Sequence, residues 1–371
     1  MTKHAINTGD CAAHSPLGRL HVGAGEQLGP LTVFPVWTDA PAARGIQMAT
    51  PSHLHISELD EPQVPKLLVW HDLDTDLLLL EGTLLVGGWQ TRVAASDVVV
   101  ARGQQVVVDV RCVEQGRWGG GSSHGVGGQA PASVKAALRG GARRAATADQ
   151  GEVWAKVSRL ERSYGERPTS SLHQIISEAV VSGGDAARGF ASAHLRQDSA
   201  GEPFIGAYPS DCGFADASAT STGSAGNPQA NALEAEVLHR LQDYATKTLP
   251  GQRGVIIGIA GVPVSLDLFG TVAACRSELL PILTAALVDA YSLPTVRPTR
   301  GQSARDFAAQ CMLSAQGSQS MAAAVHDALG SVTHWRAADD VIDLRGVRRT
   351  GTHSLLHASA LNMKHELALA M

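Results

Sequence analysis

The sequence predicts an α+β fold: an N-terminal antiparallel β-sandwich or small barrel packed on a C-terminal helical region with a short β-sheet. Three observations carry this. Short Val- and Leu-rich runs, punctuated by Gly, Asp and Pro, crowd the stretch from residue 29 to residue 118. Segments with helical spacing of apolar residues begin only after it. A strand–turn–strand pattern, "GVIIGIAGVPVSLDLFG" at 254–270, then reappears among the helices.

Taken in order, residues 1–28 are rich in Gly, His and Ala, carry no periodicity, and read as a flexible arm. "GPLTVFPVW" (29–37) opens the β-rich region of 29–118. "PKLLVWHDL" (65–73), "DLLLLEGTLLVG" (76–87), "DVVVA" (97–101) and "QQVVVDVRCVEQ" (104–115) follow as strands. Turn signals at "EGT" (81–83) and "ARGQQ" (101–105) suggest hairpins. Residues 119–232 combine a glycine-rich stretch, expected to be a mobile loop, with helices and a low-complexity insertion near 216–231. A helix is expected from Pro131 through "VKAALRGGARRAA". "DQGEVWAKVSRLERSYG" (149–165) has Asp149 as N-cap, Glu152 three residues on, and Val153, Val157 and Leu160 on one face. Residues 233–371 form the α+β region. It holds an amphipathic helix over 232–249, the hairpin, and a buried helix over 275–293 with Pro281 near its first turn. Two further helices and short strands around a Gly turn complete it.

Composition excludes several classes. The 371 residues carry a net charge of −5 with both signs mixed, which is not the footprint of a nucleic-acid binder. The Arg groups at 139, 143 and 144 and at 345, 348 and 349 read as solvated helix faces or turns. Five scattered cysteines without a CxxC argue against a disulfide framework or a thiolate zinc site. No apolar run approaches the ~18 residues of a membrane helix, and no leader pattern opens the chain. A soluble cytoplasmic protein, off membranes and needing no cofactor, is the default.

The candidate chemistry gathers where the β-rich region ends. In "RCVEQGRW" (111–118) Glu114 and Arg117 stand at a strand end, where an Arg–carboxylate pair either grips a planar anion or closes a structural ion pair. If the segments 84–93 and 106–117 pair, Gln90 and Arg92 join them, giving a cluster suited to a polar or phosphate-bearing ligand. His124, on the glycine-rich loop, is a candidate acid or base, or simply an exposed loop histidine. Trp118 is a stacking platform for a base or a core residue. Gln150 is not explained by helix capping. Asp267, within "VSLDLFG", is unusual for a strand and is either exposed or caps a loop. His353 and His357 would share a metal on a helix but would stand ~13 Å apart on a strand.

Four segments together, "LLLLEGTLLVGGWQTRV", "RCVEQGRW", "DQGEVWAKV" and "GVPVSLDLFG", resemble the bacterial ARPP domain family, the ADP-ribosylglycohydrolase and rhodanese-phosphatase associated proteins. The resemblance spans residues 29–365. It implies the handling of ADP-ribose or another NAD-derived nucleotide by a protein that either binds or processes it. The reading of the residues themselves then makes Glu114 and His124 the candidate catalytic groups and Gln90, Arg92, Arg117, Trp118, Gln150 and Asp267 the candidate ligand contacts. Two alternatives stand beside it: a non-catalytic module that binds a protein partner, and a metal-dependent hydrolase using His353 and His357.

Overall fold

The structure, a computed structural model, describes residues 15–117, 119–140, 149–163, 171–181, 228–293, 302–321 and 331–369. In chain order the strands are β1 (Leu20–Val22), β2 (Glu26–Leu28), β3 (Leu31–Thr38), β4 (Ile46–Met48), β5 (Leu54–Ser57), β6 (Lys66–His71), β7 (Asp76–Leu79), β8 (Thr83–Gly87) and β9 (Arg92–Ala94). They continue as β10 (Val98–Val100), β11 (Gln105–Cys112), β12 (Ser123–Gln129), β13 (Gly254–Ile259), β14 (Val262–Phe269), β15 (Gln319–Ser320), β16 (Val332–Ala338), β17 (Ile342–Arg349) and β18 (Leu355–Asn362). The helices are α1 (Ala132–Leu138), α2 (Gln150–Ser163), α3 (Leu172–Val181), α4 (Pro228–Thr246), α5 (Val272–Ser292), α6 (Ala304–Gln316) and α7 (Glu366–Leu369).

The expected α+β class holds, and the β-rich region contains a barrel. β11, β6, β5, β12, β8 and β9 close on themselves. Along β11 the alternation is clean: Val106, Val108, Val110 and Cys112 are buried, while Asp109 is exposed. One face fills the barrel with Leu67, Val69, Leu85, Val106 and Val108, as a strand's two-residue period requires. A second sheet runs β1-β3-β13-β14-β18-β17-β16-β15, with β2 also on β3. Residues 20–28, read from sequence as arm, thus carry two strands of it, and β3 lies beside β13 rather than in the barrel.

Neither hairpin expected from the sequence forms. β7 and β8, the supposed hairpin around "EGT", do not pair. β7 lies between β10 and β4, and β8 between β12 and β9. Likewise β10 and β11 flank "ARGQQ" but belong to different sheets. Gly82 and Gly103 do take the positive φ that a turn needs, but a turn reverses or redirects the chain without choosing its next partner. The glycine-rich stretch is also no free loop. Residues 123–129 form β12, a barrel strand. Gly127 is required by close approach, since a Cβ there would stand 2.1 Å from Val86 Cγ2.

The second sheet has two unlike faces. One is apolar: Leu266, Leu268, Trp335, Leu344, Ala358 and Ala360 pack with Phe307 and Cys311 of α6. On the other, cross-strand partners align Asp267, Ser359, Arg345 and Arg336 in one row. This charged row meets the barrel turns and α1. Arg139, at the end of α1 and 1% exposed, donates from Nε to Glu81 Oε2 at 2.9 Å and from Nη1 to the carbonyls of Asp343 (2.7 Å) and Ser359 (3.1 Å). Arg345 reaches the other Glu81 oxygen at 3.3 Å. Arg139 is therefore a buried structural cation and Arg345 a half-buried one, not the solvated faces expected from sequence. No described helix is long and apolar enough to cross a membrane.

Arg139→Ala removes one partner of a buried, hydrogen-bonded ion pair. A loss of about 3–5 kcal/mol in unfolding free energy is expected, measured by urea titration. A loss below about 1 kcal/mol would mean that this network does not join the layers.

Candidate functional site

At the barrel end, β9 pairs with β11 as the sequence suggested, with Cys112 opposite Arg92. The charged residues there are used internally. Glu114 Oε2 accepts from Thr91 N and from Arg117 Nη2, each at 2.8 Å. Burial pushes the Glu114 pKa up, but these two donors outweigh it and hold the carboxyl below its ordinary value. Arg117 also donates to the carbonyls of Gly87 (3.1 Å), Gly88 (2.9 Å) and Gly119 (3.2 Å), so all four of its terminal N–H bonds are engaged. Arg92, 2% exposed, pairs with Glu58 at 2.9 Å.

His124 is not a loop residue. It sits buried on β12, with Nε2 3.2 Å from the same Glu58 oxygen. Burial outweighs the attraction of Glu58, and its pKa is lowered. Gln150 clasps the main chain of Cys112: Oε1 accepts from its N–H at 3.0 Å and Nε2 donates to its carbonyl at 2.7 Å. Gln90 is 1% exposed, and neither of its amide atoms has a partner. Trp118 lies outside the described residues. His353 stands in the turn before β18 and His357 on the strand itself, so they share no helix face on which to hold a metal.

A cavity of about 220 Å³ opens instead between the barrel and α5. Met48, Leu78, Leu80 and Val126 give it apolar walls. Its polar groups are Thr83, Gln129, His173, Glu278 and Thr284 among others. Burial lowers the His173 pKa, which keeps the ring neutral. Burial pushes the Glu278 carboxyl up to about 7, against the pull of His357 and Lys135. Sequence reading missed Glu278. The available signal was a lone carboxylate inside an apolar helix, in "CRSELLPILTAAL".

Behind Glu278 lies a buried array. His357 Nδ1 is 2.7 Å from Asp97 Oδ2, and Nε2 is 3.7 Å from Asp267 Oδ1. Burial alone would strip the His357 proton, but the two carboxylates hold its pKa at about 9. Burial likewise opposes the charge on Asp97, and His357 overrides it, taking the carboxyl to about 2. Asp267, expected to be exposed or to cap a loop, is 2% exposed. Its pKa is lowered despite burial, chiefly by Lys135 and His357. Lys135 is itself buried on α1. One carboxyl near neutrality beside another held ionised is the pattern by which folds set up acid–base chemistry.

A family model described as the ARG and Rhodanese-Phosphatase-superfamily-associated Protein domain matches residues 19–207 and 215–361. No curated protein matches, and no solved structure does.

The raised His357 pKa has a stability signature. A cation whose folded pKa exceeds its ordinary 6.5 stabilises fully below 6.5, and that contribution is lost as pH rises through about 9. The depressed Asp97 contributes above 3.8, and its share is lost as pH falls through about 2. His357→Gln is therefore expected to be destabilised at pH 6, with the gap from wild type narrowing by pH 10. Urea midpoints across that range test this, and a gap independent of pH would refute the buried imidazolium.

Proposed function

The chain belongs to the ARPP-1 family, the ARG and Rhodanese-Phosphatase-superfamily-associated Protein domain, and from that membership together with the cavity we propose that it binds and processes an ADP-ribose-like or other nucleotide-derived small molecule. The observation that carries this reading is Glu278: a carboxyl with a pKa of about 7 in the wall of an apolar cavity. Near neutral pH both of its forms are populated, which suits a group that takes a proton from an attacking water and returns it to a leaving group. The family's named association with ADP-ribosylglycohydrolases and rhodanese-phosphatases supports the ligand class.

This reading moves the site away from Arg92, Glu114 and Arg117, whose charged groups already have protein partners, and from the Gln90 beside them. Among the described residues Glu278 is the carboxylate in the cavity wall. Asp267 and His357 stand behind it, where they set its electrostatics without touching a ligand.

Addition of ADP-ribose is expected to raise the melting temperature of wild type and of Glu278→Gln alike, because the amide keeps the shape of the wall. Hydrolytic turnover, followed by chromatography of the products, is expected to fall by about 10²–10⁴-fold in the variant. If ADP-ribose, NAD and nucleoside phosphates all leave the melting temperature unmoved, the reading fails.

A further inference from the structure

The cavity wall has a chemical bias that narrows what enters it. Gln129 is 3% exposed. Its Nε2 donates to Thr83 Oγ1 at 3.0 Å, while its Oε1 is buried with no partner. A buried acceptor left open is costly unless something fills it. A second acceptor comes from the backbone of α5. Pro281 lies inside this helix and lines the cavity, as does Ser277 one turn before it. Proline has no N–H to give the carbonyl four residues back, so the Ser277 carbonyl lacks its helical donor. Glu278 lines the same cavity. Among the described residues no Lys or Arg lines the cavity.

With one carboxyl and no cation in its lining, the cavity is a poor home for a phosphate, whose charge calls for positive partners. The volume of about 220 Å³ falls below the roughly 300–1,000 Å³ usual for whole small-molecule ligands. We propose that the cavity receives the neutral ring end of the ligand, a ring bearing N–H or O–H donors that meet Gln129 Oε1 and the Ser277 carbonyl, while any phosphates stay outside. A carboxamide ring, a nucleobase amine and a ribose diol share this chemistry. The inference deepens the reading of Glu278 as the acid–base group, since it names the part of the ligand set beside that residue.

Three variants of the full chain test it, with ligand-observed NMR using nicotinamide, adenosine, ribose and inorganic phosphate as probes. At least one neutral ring is expected to bind wild type, and phosphate is not expected to bind in the cavity. Which ring binds identifies the source of the donors. Gln129→Leu removes the acceptor and is expected to weaken that binding at least tenfold, whereas Gln129→Glu retains an acceptor and keeps it. Pro281→Ala restores an N–H to the Ser277 carbonyl. It is expected to weaken binding several-fold while leaving the melting temperature the same or higher, a split that a purely structural proline would not give. Unchanged binding in Gln129→Leu and Pro281→Ala overturns the proposal, as does loss in Gln129→Glu or phosphate binding that competes with the rings. ADP-ribose binding that ignores these variants would sink this inference and leave the proposed function standing. Ring binding that responds to them, without any effect of ADP-ribose, would do the reverse.

Discussion

The constraint on which the rest depends is the matching of buried charge between the layers. One face of the second sheet carries Asp267, Ser359, Arg345 and Arg336 in a row, and such a face cannot be covered by an apolar layer. It is met by Glu81 from the β7–β8 turn, Asp97 from the β9–β10 turn, and Lys135 and Arg139 from α1. Each group is nearly useless alone and costly if left unpaired. A hydrophobic contact would tolerate sliding of barrel against sheet. Glu81 held by two guanidiniums from different layers does not.

The cavity is a consequence of that fixed relation. α1 is tied to α5 because Asp289 accepts from both the Ser133 hydroxyl (2.5 Å) and its N–H (3.1 Å). With α5 so placed, Glu278 comes to the edge of the charged region while its neighbours Leu279 and Leu283 stay in the core. Its raised pKa follows from position: low solvation dominates, and the nearest cations already answer to Asp97 and Asp267.

Much of the fold was legible in the sequence because strand alternation and turn chemistry are local. The barrel strands from 66 to 112 fall where the Val/Leu runs place them. The hairpin at 254–270 turns at Ala260 and Gly261, whose φ values of 52° and 80° are those of a tight β-turn. What was not legible is partner choice. β7 and β8 are separated by three residues yet serve different sheets, and no local signal says so. β12 was hidden because glycine composition speaks for flexibility, while the neighbouring Val86 demands the absence of a side chain. The pairing of the strands that carry residues 90–117 was legible, but not that Arg92 would turn to Glu58 while Glu114 and Arg117 took each other. Lys135, Asp289 and Glu278 left the faintest trace: charges within helices, with no motif around them to mark them.

The grip of Gln150 on Cys112 reaches beyond local geometry. β11 runs past the end of β6, pairing with it only through Asp109, so the backbone of Cys112 would otherwise offer an open N–H and carbonyl. An open strand end is a template on which a second chain can extend a sheet. The Gln150 amide, which presents one donor and one acceptor as a peptide group does, occupies that end. A side chain at the start of α2 thereby acts as a one-residue surrogate strand, which closes a route to self-association at the rim of the barrel.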